Sequence, residues 1–203
     1  TALSGPAAGA LGSAVIAEMA GFPNVVTLDA GGTSTDLCLI ESARPHVTNG
    51  GAVGPFPVRI PMIDIETIGT GGGSIAWITR EGHLKVGPKS AGAEPGPMCY
   101  PKGGSEPTIT DANLVLGRIP AALIGGGIGL DVARSRAGIA ALAARLPGSM
   151  SAEQLAHGII EIANWNQANA IRQMTIQRGI DPRGFALLSF GGAGPAQSPA
   201  VMD

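Results

Sequence analysis

The chain has 203 residues, 44% of them hydrophobic, which is enough to bury a core and argues against disorder. A net charge of −2 and an aromatic content of 3% leave neither a basic footprint nor a stacking platform for nucleic acid. Two cysteines cannot staple a domain of this size, three scattered histidines lack zinc spacing, and the long uncharged stretches 1–17 and 184–202 are broken by Pro and Gly, unlike a membrane span.

Small residues with Leu11, Val15, Ile16 and Met19 at helical spacing predict a tightly packed helix over 6–20, ended by Gly21 and Pro23. Val25 to Asp29 and Thr35 to Ile40 are short apolar runs joined by a glycine turn, which predicts a β-hairpin. Val58 to Ile68 alternates around Pro61 and is expected as a bent or edge strand. After the glycine loop 69–74, Ile75 to Thr79 and His83 to Val86 predict a second hairpin turning at Glu81-Gly82. The Gly- and Pro-rich stretch 87–107 is expected as a long ordered loop, with Ala91, Ala93, Met98 and Tyr100 to bury.

Three helices are expected next. Thr110 or Asp111 is placed to cap a short one ending at Leu116 and Gly117. Asp131 caps a second, whose face holds Ile139, Leu142, Ala143 and Leu146. Ser151 with Gln154 has capping-box spacing and opens a long helix stopping near Gly179. Phe185 to Phe190 then forms a strand running into Gly191-Gly192-Ala193-Gly194. The pattern is an α/β layer architecture with a mixed sheet and packed helices, read as a single domain over 1–203. The sequence opens at Thr1 and closes at Asp203 in mid-pattern, so a longer polypeptide is expected around it.

Chemistry concentrates in the turns. Backbone N–H groups in Gly31-Gly32-Thr33-Ser34 can surround phosphate oxygens, and Asp29, at a strand end, is placed to hold a hard cation such as Mg²⁺. An ordinary Gly-Gly hairpin with a capping acid is the plainer alternative. Asp36 is expected to stabilise the turn. Gly71-Gly72-Gly73-Ser74 reads either as a nucleotide contact or as a tight structural turn. It contains a loose dinucleotide fingerprint, but a strand follows where that fingerprint needs a helix, and no Gly-Lys-Ser/Thr P-loop exists. Thr110, Asp111 and Asn113 are candidates for lining a cleft, Lys89 and Glu94 for solvation, and the cluster Asn164 to Asn169 for an exposed helix face. Cys99, with no base in its sequence neighbourhood, reads as structural.

Ser4 to Ala10 followed by Leu28 to Asp36 resembles the helix and second phosphate loop of the fold shared by Hsp70, actin and the sugar kinases. Leu188 to Pro195 resembles that fold's adenosine loop. Between them, Ile68 to Ala76, Val86 to Pro97 with Cys99-Tyr100 and Gly103-Gly104, and Pro107 to Arg118 resemble the hydantoinase A / oxoprolinase family, which includes N-methylhydantoinase, 5-oxoprolinase and acetone carboxylase relatives.

The resemblance covers nearly the whole chain and implies one lobe, the second half, of an actin/Hsp70-like (ribonuclease H-like) ATPase core. It implies ATP and Mg²⁺ as cofactors, with Asp29 on Mg²⁺ or water. Gly31, Gly32, Thr33 and Ser34 would take the phosphates, Gly71, Gly72, Gly73 and Ser74 would touch the nucleotide, and Gly191, Gly192, Ala193 and Gly194 would hold the adenosine. The family's first phosphate loop is not found in this sequence, so the piece alone is expected to be inactive. The implied activity is ATP-dependent opening of a cyclic amide, or carboxylation of a ketone, in the cytoplasm with a hydantoinase B-type subunit or fused domain. A non-catalytic nucleotide switch of the same fold and, more remotely, a dinucleotide oxidoreductase are the alternatives.

Overall fold

The computed structural model describes residues 4–53, 56–58, 61–122 and 128–201. In chain order the elements are α1 (Ser4–Met19), β1 (Val25–Ala30), β2 (Thr35–Glu41), β3 (Arg44–Pro45), β4 (Val47–Thr48), β5 (Gly51–Val53), β6 (Phe56–Val58), β7 (Met62–Ile63), β8 (Ile65–Ile68), β9 (Ser74–Ile78), β10 (Leu84–Ser90), α2 (Ile109–Val115), α3 (Val132–Ala143), α4 (Ala152–Ile176), β11 (Ala186–Phe190) and α5 (Gly194–Val201). The strand expected across 58–68 is divided into the end of β6, β7 and β8, and Arg59 and Ile60 lie outside the described residues.

β1 is central to the main sheet. It pairs antiparallel with β2 from Val25–Ile40 to Ala30–Thr35, and parallel with β11 from Val25–Ala186 to Asp29–Phe190. β2 carries β8 on its first half and β3 on its end. Successive residues of a strand point to opposite faces, so Val26, Leu28, Ala30, Leu37 and Leu39 meet Ala170 and Met174 of α4. Val25, Cys38 and Ile40 meet Ala10, Ala14 and Ala17 of α1 on the other face. Helices on both faces explain why β1 reads as a continuous apolar run with no alternation.

The packing of α1 corrects the sequence expectation. Its buried stripe is Ala10, Ser13, Ala14 and Ala17, whereas Leu11, Val15, Ile16 and Met19 are exposed, Met19 to 84%. Small side chains let the helix lie close to the sheet, and periodicity alone cannot choose between two apolar stripes.

A second core joins the β9–β10 hairpin to α2, α3 and the first half of α4. Leu155, Ile159, Ile160 and Ala163 of α4 belong to it, while Ala170 and Met174 belong to the sheet core, so α4 is a rod through both. The Ser151–Gln154 capping box starts this rod as expected, and Asp131 caps α3.

The cap of α2 is Thr108, ahead of the expected Thr110 or Asp111. Asp111 is the reciprocal carboxylate of that capping box and is fully buried. It accepts hydrogen bonds from five donors: the amides of Met98, Cys99 and Thr108 and the hydroxyls of Thr108 and Ser135. Asn113 is buried too, so neither residue lines an open cleft.

Asp111 also orders the loop before it. The first residues of the 87–107 stretch extend β10 to Ser90, beyond the expected end at Val86, and the rest is tied down at Met98 and Cys99. Met98 is buried as expected, but Ala93 is exposed. Lys89 pairs with Glu106 at 3.1 Å.

Removing the Asp111 carboxylate leaves buried donors without an acceptor, each hydrogen bond to a charged group being worth about 1.5–3 kcal/mol. Asp111→Ala is expected to lower stability by at least about 3 kcal/mol in urea unfolding; a loss below about 1 kcal/mol would contradict the hub.

Candidate functional site

Because β1 and β11 are parallel, both end at the same edge of the sheet, and the glycine turns that follow them meet there. The Ala193 amide donates to the Ala30 carbonyl at 2.9 Å. Gly191 has φ of +84°, and a Cβ on it would stand 2.5 Å from the Ala30 oxygen and 2.6 Å from Asp29 Oδ1. Only glycine fits that approach.

A third turn, leading from β8 into β9, backs the first. The amides of Gly72 and Gly73 donate to the carbonyls of Gly31 and Gly32 at 2.9 and 2.6 Å. A Cβ on Gly71 would lie 2.7 Å from the Ser34 amide nitrogen and 2.8 Å from the Gly31 oxygen. Both the amide and the hydroxyl of Thr110 donate to the Gly72 oxygen at 2.8 Å, so α2 props the stack from behind.

The sequence-predicted residues thus come together, but they do not all face outward. Gly71, Gly72, Gly73 and Ser74 are buried. Gly32, Thr33, Gly191 and Gly192 are exposed, Gly31, Ser34 and Ala193 are half-buried, and Gly194 is buried at the start of α5. A Cβ on Gly32 or Gly192 would meet nothing within 4 Å. Among the described residues the amides of Gly32, Thr33 and Ser34 have no acceptor. Three adjacent free N–H groups at an open hairpin tip form a concavity suited to an anion.

Asp29 lies on a rung of the sheet that runs Phe190, Asp29, Asp36, Thr67 across β11, β1, β2 and β8. The Thr67 hydroxyl donates to Asp36 Oδ1 at 2.5 Å. Asp36 therefore bonds across strands to Thr67, which differs from the turn-stabilising role expected of it. Burial first, and the neighbouring Asp36 charge second, push the Asp29 carboxyl above its ordinary range. A half-buried pair of carboxylates suits a hard cation. Among the described residues no cluster of three or more His, Cys, Asp or Glu could hold a metal by itself. Mg²⁺ fits these donors when phosphate oxygens and water complete its shell, as is usual for that ion.

Sequence reasoning missed the polar joint behind the hairpin. Gln167 of α4 is fully buried, and its Nε2 donates to Thr35 Oγ1 at 3.1 Å and to Gln197 Oε1 at 2.6 Å. The Thr35 hydroxyl donates in turn to the Thr70 carbonyl. The signal was legible in principle, since Gln167 falls in the helical series Ile160, Ala163, Ala170, Met174, which is otherwise apolar. Asn164 is buried as well, so the expected exposed polar face is divided between inside and outside. Burial pushes both thiols, Cys38 and Cys99, up to about 12, which leaves them unreactive.

Among the described residues a small cavity on the α1 side of the sheet is lined by Asp29, Asp36 and Phe190, and two larger ones lie on the α4 side. One of about 440 Å³ lies between α4 and β11, lined by Ile171, Arg172, Phe185 and Leu187, with no glycine-turn residue in its wall. The other, about 270 Å³, opens beside Gly69 and Thr70.

The family model described as hydantoinase/oxoprolinase matches residues 1–203. A nucleotide-free acetone carboxylase, from work on ATP-dependent acetone carboxylation, superposes with a TM-score of 0.88 at 31% identity, covering 98% of this chain and 28% of that one. An ATP-dependent caprolactamase from Pseudomonas jessenii gives a TM-score of 0.80 at 45% identity, covering 91% and 26%. The acetophenone carboxylase gamma subunit of Aromatoleum aromaticum is 43% identical over 94% of this chain and 26% of its own length. The chain spans 26% to 30% of the length of three curated relatives and 16% to 17% of that of others. Its mixed sheet and packed helices match only a part of each of these larger chains, as a partial lobe would. No helix among the described residues is long and apolar enough to cross a membrane.

Packing separates the brace from the open face. Gly71→Ala is expected to cost about 1–3 kcal/mol by thermal unfolding, and Gly192→Ala to stay within about 0.5 kcal/mol. Equal effects at the two positions would contradict the assignment of one as buried brace and the other as free surface.

Proposed function

This chain belongs to the hydantoinase/oxoprolinase family, and from that membership we propose that it is the ATP-binding lobe of an ATP-dependent cyclic amide hydrolase subunit of the hydantoinase or 5-oxoprolinase kind. The observation that carries the reading is the set of three free amides at Gly32, Thr33 and Ser34, beside Asp29 and within reach of the turn after β11.

In this reading the amides of Gly32, Thr33 and Ser34 bind phosphate oxygens, Gly31 closes the turn through its own amide to the Ser34 carbonyl, and the Thr33 and Ser34 hydroxyls add donors. The exposed backbone of Gly191 and Gly192, with Ala193 and Gly194 behind it, takes the adenosine. Gly71 to Ser74 are assigned the role of brace, because a buried turn cannot touch the nucleotide directly. Asp29 holds Mg²⁺ or orients water, with Asp36 as its neighbour. Bound with the nucleotide, Mg²⁺ would neutralise phosphate charge. Phosphoryl transfer depends on positioning and charge neutralisation, and a rigid backbone cradle supplies the positioning.

Moving the terminal phosphoryl group of ATP to an amide oxygen leaves ADP and makes a poor electrophile reactive. Water can then open the ring and release phosphate. That second stage is assigned to a hydantoinase B-type subunit or fused domain, in the cytoplasm, and relatives named as gamma and beta subunits support the need for a partner. Phosphorylation of a ketone for carboxylation is the second reading, favoured by the superposition on acetone carboxylase. ATP consumption by the full-length protein with its partner, screened against lactams, hydantoins, 5-oxoproline and ketones, decides between them.

Asp29→Asn should abolish ATP-dependent turnover and keep the fold; retained turnover would remove Asp29 from the mechanism. The same variant carries a pH signature without nucleotide. The Asp29 carboxyl is held above its unfolded value, so its contribution to stability is present when protonated and is lost as pH rises through the folded value. The stability of Asp29→Asn relative to wild type should therefore grow from about pH 4 to about pH 7 in denaturant titrations. A constant or shrinking difference would show that Asp29 is not strained by burial and Asp36.

A further inference from the structure

Gln167 stands where an apolar side chain would serve the fold better. Its neighbours along the buried stripe of α4 are Ile160, Ala163, Ala170 and Met174. Thr35, Gln167 and Gln197 are all fully buried, and among the described residues Gln167 Oε1 and Gln197 Nε2 have no hydrogen-bond partner. A half-paired carboxamide in the core costs stability that a methionine of similar volume would not. What the residue gains is the placing of its two bonds. Thr35, which takes one, directly follows Ser34 of the phosphate hairpin and donates its own hydroxyl to the carbonyl of Thr70, directly before Gly71 of the brace. Gln197, which takes the other at 2.6 Å, lies on α5, three residues after Gly194. One carboxamide thus ties all three chain reversals to a single point on the helix that runs through both cores. Polar choices that oppose packing concentrate at functional sites.

We propose that Gln167 is a positioning residue for the nucleotide: it fixes the separation between the 31–34 hairpin and the 191–194 turn, so that both hold one ATP molecule. The inference rests on the ATP reading above and adds the residue that sets the spacing of its two halves. Gln167 is fully buried and bonded to protein groups, so it acts through Thr35 and Gln197 and not by touching the ligand. A ligand that spans two subsites gains from both only when their separation matches its own length. Loss of the tie therefore weakens a ligand that spans both turns and spares one that fills a single turn. A residue that merely held the fold together would affect every ligand alike.

The test is calorimetric titration of the full-length protein, in the presence of Mg²⁺, with ATP, inorganic tripolyphosphate and adenosine. The double variant Gln167→Met/Gln197→Met removes both carboxamides together and keeps the side-chain volume nearly constant. Its thermal midpoint should hold or rise, because no half-paired carboxamide stays buried. Its ATP affinity should fall tenfold or more, while tripolyphosphate and adenosine stay within twofold of wild type. Gln167→Asn, one methylene shorter and unable to reach Thr35 and Gln197 together, should show the same selective loss for ATP. Unchanged ATP affinity in the double variant would overturn the proposal. So would a parallel fall for all three ligands, or a double variant that melts well below wild type, since either result makes Gln167 a support of the fold alone. A wild-type protein that binds none of the three would remove the ATP reading itself, and the spacing role with it.

Discussion

Three chain reversals meet backbone to backbone at one end of the sheet, and the contacts leave no room for a side chain between them. Gly71 touches the Ser34 amide, Gly73 faces the Gly32 oxygen, and Gly191 touches the Ala30 oxygen and Asp29. Hydrogen bonds from Gly72, Gly73 and Ala193 to the carbonyls of Gly31, Gly32 and Ala30 lock the arrangement. Spending the Gly31 and Gly32 carbonyls inward turns the amides of the same peptides, those of Gly32 and Thr33, away from the stack. The polarity of the site is thus a product of the packing, since one side of each peptide is used for structure and the other is left for a ligand.

The rest of the molecule holds this stack in place. α4 runs through both cores, and its one fully buried glutamine ties the hairpin base at Thr35 to α5 through Gln197. Thr110 at the start of α2 fastens the third turn, and the capping box at Thr108 with Asp111 fixes where α2 begins. A shift of α2 or α4 would therefore reach the cradle through a few short bonds. Such coupling suits the positioning role proposed for this lobe, since small displacements of groups that hold a reactant carry large rate penalties.

Much of this was legible from residue order. The β1–β2 hairpin, the β9–β10 hairpin, the Asp131 cap and the Ser151–Gln154 box follow from local patterns that tertiary context did not override. The meeting of Asp29 with the 191–194 turn followed from resemblance to a known fold, since a parallel pairing between residues so far apart leaves no local trace. The misses have a common physical cause. The exposure of Leu11, Val15, Ile16 and Met19, the cap at Thr108, the burial of Gly71 to Ser74 and the joint at Gln167 all depend on what lies across from a residue. Spacing along the chain reports which residues share a face, but not which face turns inward.

A cradle of backbone amides beside the Asp29 carboxylate is the proposed receiver of a magnesium-bound triphosphate. The most direct measurement is a crystal structure of the full-length protein with Mg²⁺ and a non-hydrolysable ATP analogue. It should show phosphate oxygens within hydrogen-bond distance of the Gly32, Thr33 and Ser34 amides, Asp29 on the metal or its water, and the nucleoside against Gly191 and Gly192. Phosphates bound away from that hairpin, with its three amides left to solvent, would contradict the account.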